Sequence, residues 1–354
     1  MMKRMRLPYP LCAVSGRDHS QQVYAQVFQS VSGQVADDGA LDSPMTLVLA
    51  NDLAASLSAF SFEMLRERLG HEASIRDAFL RDGTTTTFWH HLLWAKSGRL
   101  IYRVPPDLIR DMRHTDLDAV QIEDIELPTR SIFLATEDSG ITVYHADSGE
   151  HDLDGFFVSE IIDRVGGRAL SVCAVGRGTA QGVLDNALVT FSLPLDGSKT
   201  LAEWMTLAES DAKNEIAIGP NSLRVRDWAQ IVLGLVLLIR HEPEAVVATP
   251  DEGVPEVKLR HARTIASTKH REAWLARYRL QAHVHVLAPD RPQDLAETET
   301  GTGAPLAVRS LVRGHWRRQA HGPGRSLRRV RWIRPFWRGP DTGPEVSTAK
   351  VVRL

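Results

Sequence analysis

Cysteine is nearly absent from this 354-residue chain: there are two, Cys12 and Cys173, with no CxxC or CxxH spacing. This rules out a disulfide framework or structural zinc site as the organising device and makes a reducing cytoplasm the expected compartment. Long apolar runs are also lacking. The longest, residues 228–239, spans twelve residues and includes Gln230, whereas a membrane span needs roughly 20. It predicts a buried core helix. Near the start, apolar residues 7–14 are interrupted by Pro8 and Pro10, so no signal peptide is expected. No internal repeat is present. Acid is missing from one place in particular: residues 309–338 hold ten arginines and three tryptophans but no Asp or Glu.

With 43% hydrophobic and 24% charged residues, the chain as a whole has ordinary soluble-protein composition. The net charge is −2, so a window of +10 leaves the remainder at −12. Such segregation presents an anion-seeking surface on an acidic body.

The pattern along the chain predicts an α+β fold: a helical N-terminal region, a small mixed or antiparallel sheet with covering helices, and a basic C-terminal β-hairpin. The expected division is 1–125 mainly helical, 126–287 α+β core, 288–305 linker, 306–340 Arg/Trp-rich hairpin and 341–354 tail. Helices are predicted at 53–70, capped by Asn51 or Asp52, at 86–95 and at 106–112, where Pro106 suits a first turn. Residues 131–135 and 141–145 flank Asp138-Ser139-Gly140 and read as a hairpin. Val158, Ile161, Ile162 and Val165 suggest a helix ending at Gly166, followed by strands 169–175 and 187–193, a ββ-α-ββ order. Thr200 and Glu203 have capping-box spacing. Residues 241–257 read as loop, and 258–280 as a basic amphipathic segment with Trp274 and Tyr278 one turn apart.

Catalytic signatures are weak. Gly176-Arg177-Gly178 with Gly182 lacks the strand–GxGxxG–helix order of a dinucleotide site and reads as a turn. Asp251, Glu256 and Lys258 resemble a compressed metal-dependent nuclease signature. Two carboxylates would hold Mg²⁺ beside a lysine, but the spacing is too short for the two strands such sites use. His90 and His91 face different ways on a helix. His283 and His285 share a strand face without a third ligand, and His151, Asp152 and Asp154 read as loop residues preceding a helix. No catalytic residue, metal site, cofactor or small-molecule substrate is expected.

The window at 309–338 carries the chemistry. Residues 311–319 and 327–333 flank His321-Gly322-Pro323-Gly324, a turn signal, so a twisted hairpin ending at Pro335 is predicted. Alternation puts Val330 and Trp332 on one face and Arg329, Arg331 and Ile333 on the other. Arginine forks bind phosphate and aromatic faces stack on bases. Arg313, His315, Trp316, Arg317, Arg329, Arg331, Trp332, Trp337 and Arg338 are therefore the candidate nucleic-acid or partner-binding residues. The competing reading has the tryptophans pin the hairpin to the body while the arginines cover its own acidic surface.

These same residues carry a resemblance. Arg313-Gly314-His315-Trp316, the glycine-containing turn and Val330-Arg331-Trp332 resemble the C-terminal signature of the type V anti-CRISPR family that suppresses biosynthesis of the effector nuclease. Ser131-Ile132-Phe133-Leu134 with Val143-Tyr144 is similar to that family's first hairpin, Gly155-Phe156 to the start of its next helix, and residues 233–242 to its apolar helix. The resemblance spans about residues 90–340. The longer N-terminal region and the element at 335–340 depart from it.

The resemblance implies a phage or mobile-element protein that evades host defence from the bacterial cytoplasm. It would recognise the nascent peptide of a CRISPR nuclease and cause loss of the message. mRNA or ribosomal RNA would be a partner through the basic tail, with no membrane involved. Two alternatives remain open at this point: an RNA-binding metal-dependent ribonuclease using Asp251, Glu256 and Lys258, and a general ribosome- or RNA-binding mobile-element protein.

Overall fold

The computed structural model describes residues 7–15, 19–34, 41, 83–118, 120–136, 138–145, 149–162, 166–177, 188–195, 201, 203–205, 225–252, 254–280, 282–289, 309–338 and 345–346. The helix expected at 53–70 and nearly all of the expected linker lie outside the described residues, as does Thr200. Leu201 and Glu203, Trp204 and Met205 are helical.

The described elements begin with helices α1 (Tyr9–Ala13), α2 (His19–Gln34) and α3 (Gly83–Lys96). Strand β1 (Leu100–Arg103), helix α4 (Pro106–Arg113) and the short β2 (Thr115–Asp116) follow. A run of strands comes next: β3 (Ser131–Ala135), β4 (Thr142–His145), β5 (Gly149–Ile162), β6 (Arg168–Gly176) and β7 (Leu188–Pro194). Helix α5 (Val225–His241) leads to β8 (Val246–Ala248), α6 (Glu256–Thr264), α7 (Thr268–Leu275) and β9 (His283–Leu287). The chain ends in β10 (Arg309–Val312), β11 (Gly314–His321), β12 (Leu327–Ile333), β13 (Phe336–Arg338) and β14 (Glu345–Val346).

The class is α+β with a mixed sheet, covering helices and a C-terminal basic hairpin. Among the described residues the main sheet has eight strands, in the order β7-β6-β5-β3-β1-β9-β8 with β4 added on β5. Strand β1 runs parallel to both neighbours, and the rest of the sheet is antiparallel. Period-two alternation sends successive residues to two different cores. Ile132, Leu134, Phe156, Val158, Val172 and Ala174 face a core shared with α4 and α5. Phe133, Ala135, Phe157, Cys173 and Val175 face a second, shared with α1, α2 and α3. Helix α3 is buried without interruption from Thr87 to Trp94, as an interior helix must be.

Both covered faces explain two corrections in this region. Residues 158–162 are not a helix but the end of β5, and the order is a strand meander rather than ββ-α-ββ. A strand buried on both sides loses its alternation, so Phe156-Phe157-Val158 with Ile161 and Ile162 can be read at helical spacing. Gly155, and His151, Asp152 and Asp154, are likewise strand residues. The turn at Asp138–Gly140 does form, with positive φ at Asp138 and Gly140, but β3 and β4 do not pair with each other. β4 takes residues 149–152 of β5 and β3 takes 155–159. At about 3.3 Å per residue, the 14-residue β5 is long enough to serve both. In the stretch expected to be loop, β8 pairs with β9.

Candidate nucleic-acid and partner interface

The hairpin forms as the turn chemistry requires. β11 and β12 pair antiparallel from His315↔Ile333 to His321↔Leu327, closing over Gly322 and Gly324, which both take positive φ. β11 also pairs with β2, giving a small three-stranded sheet. The expected single first strand is split: β10 leaves for a separate sheet with β13 and β14. The split falls at Gly314, where an added Cβ would stand 2.6 Å from Thr115 Oγ1 and 2.7 Å from Pro335 Cδ. Glycine lets β11 slide beneath Pro335 and against β2.

One face of this hairpin is turned inward. Trp316 is 2% exposed and belongs to the main core with Val330. It stacks on Trp332 at 6.3 Å, and Trp332 donates its indole N–H to Thr115 Oγ1 at 3.2 Å. The same region explains Gln230, the one polar residue of the apolar run. Its amide donates to the carbonyls of Arg113 at 2.9 Å and Thr115 at 2.6 Å, satisfying the end of α4.

Several arginines reach the body's own acids. Arg318 bonds Asp124 at 2.8 Å and Gln121 at 2.9 Å. Arg329 reaches Glu244 at 3.1 Å and Glu242 at 3.5 Å, and Arg331 lies 3.6 Å from Glu242. Arg334 pairs with Asp111 and, at 3.2 Å, with Asp107. Glu242 is buried and also accepts the Trp332 backbone N–H at 3.2 Å. Burial raises its pKa; the neighbouring Glu244 adds to this, and the Trp332 N–H and Arg331 oppose it. Asp111 is raised by burial in the same way, against Arg334. The intramolecular reading therefore holds for Trp316, Trp332, Arg318, Arg329 and Arg334.

The outer face is different. His315, Arg317, Gln319, Arg329 and Arg331 share it, with Arg317 directly opposite Arg331. Like charges placed opposite each other across a strand pair repel. Arg317 and Arg313 are exposed and have no carboxylate partner among the described residues. Arg113, exposed at the end of α4, extends this cationic surface, and His114 beside it is exposed as well. The His114 backbone carbonyl accepts the Gly314 N–H at 3.0 Å, and the pKa of its ring is lowered by desolvation and then by Arg113 and Arg313. In sequence these two residues look only like favourable charges at a helix C-terminus. Trp337 and Arg338 lie in β13, apart from this sheet.

The weaker chemical signals find partners elsewhere. Asp251 accepts from Arg279 at 2.7 Å, Glu256 faces Arg263 at 3.7 Å, and Lys258 lies over the Tyr278 ring at 4.8 Å. Each is directed to its own neighbour rather than to a common centre. Asp154 is buried, accepts the Tyr9 backbone N–H at 2.5 Å and lies 3.7 Å from Arg177. His285 stacks on Tyr102 at 5.2 Å. His90 contacts Ser159 Oγ at 3.0 Å and Ser171 Oγ at 3.2 Å. That serine–histidine set is sealed inside the protein, and burial pulls the ring pKa down to about 3, so it is a packing network rather than a nucleophile and its base.

A family model matches residues 102–340, most of the chain and the whole of the hairpin, and describes anti-CRISPR proteins of type V. The chain belongs to that family, the AcrVA2-like, anti-CRISPR type V subtype A2 family. Among solved structures, the crystal structure of AcrVA2 is similar at 13% sequence identity. The alignment covers 92% of this chain and 95% of that one, with a TM-score of 0.46. No curated protein matches. Among the described residues no helix is long and apolar enough to cross a membrane.

Proposed function

We propose that this protein recognises the nascent polypeptide of a type V CRISPR nuclease and causes loss of the message encoding it, so that the nuclease is never made in quantity. Membership of the type V anti-CRISPR family is the observation that carries this reading. In this scheme the outer hairpin face lies on RNA of the translating ribosome, where Arg313, Arg317 and Arg331, with Arg113, offer guanidinium forks to phosphates. The edge strand β7 is the surface for the peptide. Among the described residues it bonds only to β6, and an extended chain can add to such an edge.

The test is recovery of the tagged protein from cells translating a type V nuclease, with and without RNase, reading nascent peptides and messages. Nuclease nascent chains and their message are the expected enrichment, with the nuclease falling at least tenfold in the cell. The double variant Arg317→Ala/Arg331→Ala is expected to fold normally and lose most of this effect. Normal nuclease and message levels beside abundant, folded wild-type protein would sink the proposal. Broad, RNase-sensitive recovery of many RNAs would point instead to a general RNA-binding protein.

A further inference from the structure

A second cationic surface lies outside the hairpin. Helices α6 and α7 form a small unit around their own cluster, Val254, Ala262 and Leu275, with Leu259, Trp274 and Tyr278 packed against it. Residues 256–280 contain seven Lys and Arg against Glu256 and Glu272, a formal +5. With +10 in the hairpin window and a total of −2, the rest of the chain carries −17.

Both acids of the unit are already in use. Glu272 takes Arg279 at 2.7 Å and Glu256 takes Arg263 at 3.7 Å, while Arg279 also ties the unit to Asp251. Lys258, Arg260, Lys269, Arg271 and Arg277 are left without a carboxylate partner among the described residues. Arg260, Lys269 and Arg277 are exposed.

These cations surround a cluster of tilted rings. Trp274 lies 5.3 Å from Tyr278 and 4.7 Å from His261. Lys258 Nζ sits 4.8 Å from the Tyr278 centroid, and the Arg277 guanidinium 6.0 Å from that of Trp274. Trp274 and Tyr278 are packed against the cluster yet only half-buried, so part of each side chain is open to solvent.

From this juxtaposition we infer that the α6–α7 unit is a second nucleic-acid surface, one that takes single-stranded RNA. Charge alone would suit an acidic protein equally. Rings interleaved with cations favour a strand whose bases are free to stack and whose phosphates meet Lys and Arg. The inference does not depend on the role proposed for the hairpin.

Fluorescence anisotropy of the full-length protein with a labelled single-stranded oligouridine tests it. The triple variant Arg260→Ala/Lys269→Ala/Arg271→Ala removes charge without touching the small core, and an unchanged circular-dichroism melt confirms its fold. It is expected to bind about 10- to 100-fold more weakly, with the slope of log affinity on log salt reduced by about 2 for three lost contacts. An abasic strand of equal length is expected to bind at least about fivefold more weakly because stacking is lost. Undiminished binding by the triple variant, with loss only in Arg317→Ala/Arg331→Ala, would overturn the inference. Equal affinity for the abasic strand, or equal competition by polyglutamate, would overturn the assignment of RNA as the occupant.

Discussion

His90 and His91 are consecutive residues of α3 and both are buried, each for a different reason. His90 turns to the sheet and joins Ser159, Ser171 and, through Ser159, Ser131. His91 turns to α2, where Tyr24 Oη meets its Nδ1 at 2.9 Å and Phe28 stacks at 4.2 Å. Desolvation lowers both pKa values to about 3. The unfolded chain takes up these protons below about 6.5, whereas the folded protein refuses them until about 3. Full stability is therefore kept above pH 6.5 and falls as the pH drops from 6.5 towards 3. At pH 5 each histidine is expected to cost about 2 kcal/mol. Urea unfolding at pH 7.5 and 5.0 checks the sum, and histidine NMR resonances that stay untitrated above pH 4 identify the two rings. Equal unfolding free energies at the two pH values would contradict the assignment.

At the scale of elements, β5 decides how the sheet is assembled. It pairs with β3, β4 and β6, and its register shifts between Leu153 and Gly155. An added Cβ at Gly155 would stand 2.3 Å from the Leu134 carbonyl oxygen and 2.7 Å from the Phe133 ring. Backbone oxygen cannot step aside as a flexible side chain can. Gly155→Ala is therefore expected to destabilise the protein by about 1–3 kcal/mol, the usual cost of overpacking. A denaturation midpoint equal to that of the wild type would show that the bulge absorbs the methyl group.

The same strand marks the limit of what the sequence shows. Elements whose buried residues follow one period were legible: α4, α5 and the hairpin all form where spacing, Pro106 and the glycine turn predict them. β5 was not legible, because two covered faces erase its alternation. Nor does local spacing reveal that β1 pairs with β3 on one side and β9 on the other, across more than 180 residues in the latter case. The site divided similarly. Arg317 and Arg331 were legible as candidates, and alternation placed Arg331 on its correct face. Arg113 and His114 join them only through the fold, and only the fold shows that Asp124 holds Arg318 and that Glu242 is reached by both Arg329 and Arg331.

Considered as a whole molecule, the protein uses much of its basic C-terminal segment as structure. Trp316 completes the core formed by α4, α5 and one sheet face, β11 adds to β2, and Gln230 and Thr115 are positioned around that junction. Arg334 with Asp111 and Arg318 with Asp124 secure the outer parts. The buried tryptophan is the largest single part of this attachment, and its truncation to alanine alone would cost about 3–5 kcal/mol. Deleting residues 306–354 removes that side chain, Val330 and every one of these pairs together. Against a total stability of about 5–15 kcal/mol for a folded domain, the deletion is expected to lower the melting midpoint by well over 10 °C or leave the body unfolded. Arg317→Ala/Arg331→Ala gives up only the 3.6 Å pair of exposed Arg331 with Glu242, which Arg329 still reaches, and is expected to leave the midpoint within about 2 °C. Differential scanning fluorimetry of the two proteins separates the roles. If the truncated body instead melts like the full chain, the hairpin is a docked appendage and its tryptophans belong to the partner surface rather than to the core.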